Sequence, residues 1–141
     1  NLAFMCMSYG DVYVASIAMG ADRNQTMKAF VEAGAWKGPS IIFAYAPCIA
    51  HNIDMMKSQD EEKRAVDAGY WPLFRYNPAQ EKPFTWETKE PTADYIEFIK
   101  SEGRYKLLEK TAPAEAEQLF KMAAEDAKRR MSFYKKLGEV L

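Results

Sequence analysis

The hydrophobic pattern changes its period along the chain. "DVYVASIAM" (11–19) is dense in β-branched and aromatic residues and predicts a strand. Before it, Leu2 to Ser8 predicts the end of a helix closed by Gly10. After it, Met27, Phe30, Val31 and Gly34 recur at helical spacing. Asp22 is placed as N-cap of that helix, with Gln25 completing a capping-box pattern, and Gly38 and Pro39 stop it. "SIIFAYA" (40–46) predicts a second strand, apolar on both faces as a helix-covered parallel strand must be. Strand, helix and strand make a βαβ unit with a right-handed crossover.

Further on the pattern turns polar. Residues 58–69 predict a helix with Ser58 as N-cap and Gly69 as stop. "WPLFRYNP" (71–78) predicts a short strand, and 81–91 an extended segment antiparallel to its neighbour. Thr92 to Ile99 predicts a helix capped by Thr92. Pro113 sits in the first turn of a last helix that runs to about Gly138. Its stripe is Phe120, Ala123, Ala127, Met131, Tyr134, Leu137 and Leu141. The expected class is α/β: a partial parallel sheet with flanking helices and a long C-terminal helix. We read residues 1–141 as one domain-sized piece, with a βαβ-type core over 1–78 and a mostly helical part over 79–141.

Charge alters this picture through its distribution. The net charge is −1, and no basic patch is interleaved with aromatics, so neither nucleic acid nor an anionic membrane is expected as a partner. The longest nearly continuous apolar stretch, 41–50, is well short of the roughly 20 residues that span a bilayer. Residues 1–56 hold only seven charged side chains out of 39, a poor surface for a free-standing domain. The chain also opens within an apolar pattern (Leu2, Phe4, Met5, Met7) and without an initiator methionine. The expectation is a piece of a longer protein, which alone would self-associate through its uncovered strand edge and apolar face.

Candidate chemistry is sparse. There is no glycine-rich phosphate loop after a strand, no Cys-x-x-Cys and no serine on a G-x-S-x-G turn. Cys6 and Cys48 are the only cysteines and are expected as reduced thiols of a cytoplasmic protein. Cys48 follows the second strand, and open parallel sheets bind ligands beyond the carboxyl ends of their strands. Three roles are open to it. A buried structural thiol is the commonest for a free cysteine. A nucleophile paired with His51, the only histidine, would need that base or a positive field. One ligand of a metal centre would need its other ligands elsewhere, since an iron–sulfur cubane takes four thiolates. His51 by itself reads as a hydrogen-bonded loop residue, Met5, Met7 and Met19 as core filler, and "DEEKR" (60–64) as a solvated helix face. The aromatics of 70–86 read as core, or, if exposed together, as a docking surface for a stand-alone interaction module.

Three stretches carry a resemblance. "YGDVYVASIAMGA", "GPSIIFAYAPCIAH" and "DAGYWPLFRY" closely resemble the C-terminal part of the pyruvate:ferredoxin (flavodoxin) oxidoreductases, with residues 1 to about 78 covered well. The resemblance implies oxidation of pyruvate with coenzyme A to acetyl-CoA and CO₂, with electrons passed to ferredoxin or flavodoxin. It implies thiamine diphosphate, Mg²⁺ and [4Fe–4S] clusters in a homodimeric parent, this segment being the latter half of the thiamine-diphosphate domain. It assigns Cys48 as the fourth ligand of the cluster nearest the thiamine, the other three cysteines lying far upstream. Cys6 matches no ligand. The family's Gly-Asp-Gly…Asn stretch for Mg²⁺ and diphosphate is absent, so the resemblance implies no catalytic residue here, and neither complete cluster nor thiamine diphosphate bound to this piece alone. Related enzymes take other 2-oxoacids.

Overall fold

The computed structural model describes residues 1–141. Its centre is strand β1 (Tyr13–Ile17), buried along its whole length. Strand β2 (Ser40–Ala44) runs parallel to it on one side, with Val14 opposite Ile41 and Ile17 opposite Ala44. On the other side β3 (Phe74–Tyr76) is antiparallel, and β4 (Phe84–Trp86) is antiparallel to β3. The order is β2-β1-β3-β4. The α/β class and the antiparallel placing of 81–91 hold. The sheet is mixed, with one parallel pair: β3, reached from β2 through α3, runs antiparallel to β1, and the short turn after β3 brings β4 back antiparallel to it.

Six helices surround it: α1 (Leu2–Met7), α2 (Arg23–Ala35), α3 (Ser58–Asp67), α4 (Tyr95–Ser101), α5 (Gly103–Thr111) and α6 (Pro113–Val140). Strand alternation splits the core. Val14, Phe74, Tyr76 and Phe84 face one way and are covered by Met7 of α1 and Tyr134 of α6. Tyr134 stacks on Phe74 with ring centroids 4.5 Å apart. Tyr13, Ala15 and Ile17 face the other way, against Ala29 of α2. A further cluster joins α3, α4 and α5 to the first half of α6, through Ala65, Phe98, Ile99, Ala116 and Phe120.

Several local expectations hold. Asp22 caps α2, accepting the Gln25 N–H at 2.9 Å. Gln25 does not close the box; its Nε2 donates to the Ser16 carbonyl instead, at 3.1 Å. Gly10 and Gly69 close their helices with φ of +82° and +70°, where a side chain would be strained. Phe120, Ala127 and Tyr134 of the α6 stripe are buried, while Leu141 stays exposed and the helix continues past Gly138.

Other expectations are corrected. Helix α4 starts later than Thr92 and is capped by Asp94, which accepts the Glu97 N–H at 2.8 Å. Ser58 is the first residue of α3, and its hydroxyl donates back to the Met55 carbonyl. The "DEEKR" stretch is only half solvated: Glu61 and Glu62 are buried, and Glu62 accepts the Gly20 N–H at 2.6 Å. Of the three methionines read as filler, only Met7 is buried.

The largest corrections concern α2 and β2. The face of α2 turned to the sheet carries Gln25, Thr26 and Ala29. Phe30 and Val31 point outward, 55% and 66% exposed, with Met27 beside them. Small residues let the helix approach the sheet closely, and that choice turns its bulky stripe away. Strand β2 is an edge strand, and three of its five residues are exposed. Its apolar composition suits cover on both faces, yet within this chain the strand is left partly open and has no neighbour on its outer edge.

Arg75 fixes α2 by charge. It is 9% exposed on β3, directly opposite Ala15 of β1. Its Nε and Nη2 donate to Glu87 at 3.0 and 2.8 Å, and its Nη1 donates to Glu32 of α2. Glu32 also accepts the Tyr13 hydroxyl at 3.0 Å. Removing one partner of a buried ionic network leaves the others uncompensated, at about 3–5 kcal/mol. We therefore expect Arg75→Ala to lower the unfolding free energy by about that much in urea titrations. A loss below about 1 kcal/mol, the range of surface pairs, would remove the network from this role.

The uncovered α2 face and β2 edge are expected to drive weak self-association of this chain. Sedimentation equilibrium across micromolar concentrations should show an average mass rising above 16.1 kDa. A constant monomer mass would count against it.

Candidate functional site

Because β1 and β2 are parallel, their carboxyl ends lie together. Tyr45, just past β2, donates its N–H to the Ile17 carbonyl at 3.1 Å, and the Trp71 indole donates to the same oxygen at 3.0 Å. The chain then runs through Ala46 and Pro47 to Cys48. Cys48 has extended backbone and opens one 3₁₀ turn, Ile49–His51. The His51 N–H donates to the Cys48 carbonyl at 3.0 Å, and Asn52 closes the turn with φ of +60°.

Cys48 is exposed and unpaired, whereas Cys6 is half-buried beside the α1 core. Within this chain Cys48 takes no part in core packing. The nucleophile reading finds no support either: no hydrogen bond joins the Cys48 thiol to His51, whose Nδ1 lies 2.6 Å from a carboxylate oxygen of Glu102. His51 is thus the hydrogen-bonded loop residue expected. No group of three or more His, Cys, Asp and Glu side chains is arranged to hold a metal. Within this chain Cys48 can supply one sulfur and no more.

Glu102 escaped the sequence reading. It is 1% exposed, at the junction of α4 and α5. One oxygen meets His51 and the other accepts the Tyr45 hydroxyl at 3.2 Å. Next to it, Gly103 lies so close to the turn that a methyl group there would sit 2.8 Å from Asn52 Cβ and 3.0 Å from the His51 carbonyl. The only cue in the sequence was a Glu-Gly pair at a helix junction, which looks like ordinary surface. Burial and the adjacent Glu102 carboxylate push the Tyr45 phenol well above its ordinary range.

The aromatics of 70–86 are not a docking face. Phe74, Tyr76 and Phe84 are buried, and Tyr70 and Trp71 pack on Tyr45. A cleft of about 490 Å³ lies beside them, lined by Phe43, Tyr70, Trp71, Tyr105, Arg130 and Tyr134 among others. No helix is long and apolar enough to cross a membrane.

Fold and site together define an α/β module with one outward-facing thiol at the carboxyl end of its parallel pair and no complete centre of its own. The chain is homologous over nearly its whole length to one segment of the pyruvate:ferredoxin and pyruvate-flavodoxin oxidoreductases. It is 57% identical over 143 aligned residues to the pyruvate:ferredoxin oxidoreductase of Moorella thermoacetica, with 99% of this chain covered. It is 48% identical to the pyruvate-flavodoxin oxidoreductase of Klebsiella pneumoniae and 51% to that of Enterobacter agglomerans, each over 98% of this chain. The chain spans about 12% of the length of these curated relatives. No protein-family model matches it.

Buried phenols give this chain an alkaline limit. Burial first, and nearby carboxylates or phenols next, raise Tyr13, Tyr45 and Tyr70; burial also raises Tyr95 and Tyr134. Below the unfolded value of about 10 both states keep these protons, and the stabilisation is complete. Above it the unfolded chain ionises first, so stability falls as pH rises, by up to ~1.4 kcal/mol per pH unit for each tyrosine. Urea midpoints measured from pH 8 to 11 should drop steeply only above about pH 10. A midpoint level across that range would show the phenols open to water.

Proposed function

We propose that this chain is a segment of a pyruvate:ferredoxin or pyruvate-flavodoxin oxidoreductase and supplies one thiolate ligand, Cys48, to a [4Fe–4S] cluster of the whole enzyme. The observation that carries the reading is 57% identity along nearly the entire chain to 12% of a pyruvate:ferredoxin oxidoreductase. The exposure of Cys48 at the carboxyl end of the parallel pair supports it. The parent reaction is the oxidative decarboxylation of pyruvate with coenzyme A to acetyl-CoA and CO₂ in the cytoplasm. Ferredoxin or flavodoxin takes the electrons, and the parent is a homodimer.

The residues present bear differently on the two cofactors. An accessible thiol with no partner inside its own chain fits a single cluster ligand, whose three companions come from the rest of the parent. When bound, such a cluster carries one electron at a time. Thiamine diphosphate and Mg²⁺ find no fit here: the chain has no glycine-rich acidic stretch for a diphosphate and no acidic group arranged around a cation. Those groups belong to the remainder of the enzyme, and no step is assigned to them through these residues.

The test is Cys48→Ser in the full-length oxidoreductase, purified without oxygen. We expect one cluster to be lost or shifted in the low-temperature electron paramagnetic resonance spectrum and the iron content to fall accordingly. Electron transfer to ferredoxin or flavodoxin should collapse while the protein stays folded. Unchanged spectra and iron content would overturn the ligand assignment.

A further inference from the structure

The one buried carboxylate that faces the Cys48 turn has no part in the reading above. Glu102 is among the most deeply buried side chains, and it belongs to the helical half of the chain, 54 residues beyond Cys48. Burying a carboxylate is costly unless its oxygens are satisfied. Both are: Oε2 by His51 Nδ1 at 2.6 Å and Oε1 by the Tyr45 hydroxyl at 3.2 Å. These two partners bracket Cys48 in sequence, three residues before it and three after. The His51 main-chain N–H then bonds the Cys48 carbonyl at 3.0 Å. The backbone of Gly103 closes on His51 and Asn52 from the same side, leaving no room for a methyl group.

We propose that Glu102, acting through His51 and Tyr45, is a positioning residue that fixes the Cys48 thiol for its cluster. The inference rests on the ligand reading of Cys48. A surface turn of five residues would by itself sample many backbone states, and a single ligand arriving from a distant segment cannot afford that freedom. The carboxylate pins both arms of the turn to a helix junction built from another core. Outer-shell groups that hold a metal ligand in place typically change metal retention roughly ten- to hundredfold when lost.

The experiment uses the full-length enzyme and reads iron and not turnover. His51→Ala removes a side chain that is 27% exposed and so threatens the fold least. Iron release to the ferrous chelator bathophenanthroline is followed without oxygen, beside the resonance spectrum of each reduced cluster. We expect the cluster that Cys48→Ser removes to give up its iron about ten times faster or more, the other clusters keeping the parental rate. Because His51→Ala leaves one buried Glu102 oxygen unpaired, some loss of thermal midpoint is expected, and the selectivity for one cluster is what separates positioning from general destabilisation. His51→Asn, whose amide nitrogen takes the place of Nδ1, should restore most of the retention. Tyr45→Phe, which removes only the other donor, should give a smaller but equally selective increase.

Parental release rates in His51→Ala and Tyr45→Phe would overturn the inference. So would a uniform acceleration at every cluster, which marks a merely structural residue. Should His51→Ala fail to assemble, Tyr45→Phe and His51→Asn decide by the same selectivity. If Cys48→Ser itself removes no cluster, the ligand reading falls. If it does and the His51 and Tyr45 variants are silent, only the positioning role falls.

Discussion

The arrangement of this chain depends on a charge that water cannot reach freely. Arg75 lies on β3 under α2 and is held by Glu87 from the sheet side and Glu32 from the helix. Burying a guanidinium is unfavourable until its fork of donors is filled, and here two carboxylates fill it. That requirement fixes the rotation of α2. With Glu32 aimed at Arg75, Ala29 and Thr26 must face the sheet, and Met27, Phe30 and Val31 must face away. Tyr13 completes the set by donating to Glu32 from the fully buried central strand. One ionic knot therefore determines the seating of the helix, and through it the character of a whole outer surface.

A second knot of the same kind sits beyond the carboxyl end of β2. Glu102 does for the turn after β2 what Arg75 does for α2: a buried charge, satisfied by side chains from distant segments, fixes an orientation that apolar packing would leave loose. Greasy contacts are tolerant of small rotations, whereas a carboxylate meeting an imidazole nitrogen at 2.6 Å is not. Both knots tie the charge-poor first 56 residues to the charged remainder. The helical part thus acts as a scaffold for a turn it does not contain.

These knots also mark where the sequence stopped being legible. Local signals read well. The β-branched and aromatic run at 11–19, the Asp22 cap, Gly10, Gly69 and Pro113 each act within a few residues, and the structure uses each one. Cys48 could be placed at a strand's carboxyl end for the same reason. Nothing local marks Arg75, Glu32, Glu62 or Glu102 as buried, because their partners lie far away in sequence. The stripe on α2 misled for a related reason: hydrophobic spacing says that a face seeks cover, without saying which body covers it. Helix α5 went unread, since Glu102-Gly103 suggests a break and not a new start.

That last distinction bears on what the exposed groups mean. Apolar side chains on α2, an unpaired edge on β2 and a bare thiol on the turn that follows all fall between residues 23 and 48. Hydrophobic side chains alone would be ordinary surface, and so would an open edge. A thiol alone would be a stray cysteine. The three differ in what would satisfy them: dispersion and dehydration for the helix face, main-chain hydrogen bonds for the edge, and a soft metal for the sulfur. A free-standing chain gains nothing by leaving three such demands unmet in one stretch. Under the proposed function, enclosure by the remainder of the parent would meet all three at once, and the scarcity of charge over the first 56 residues is what such enclosure would require.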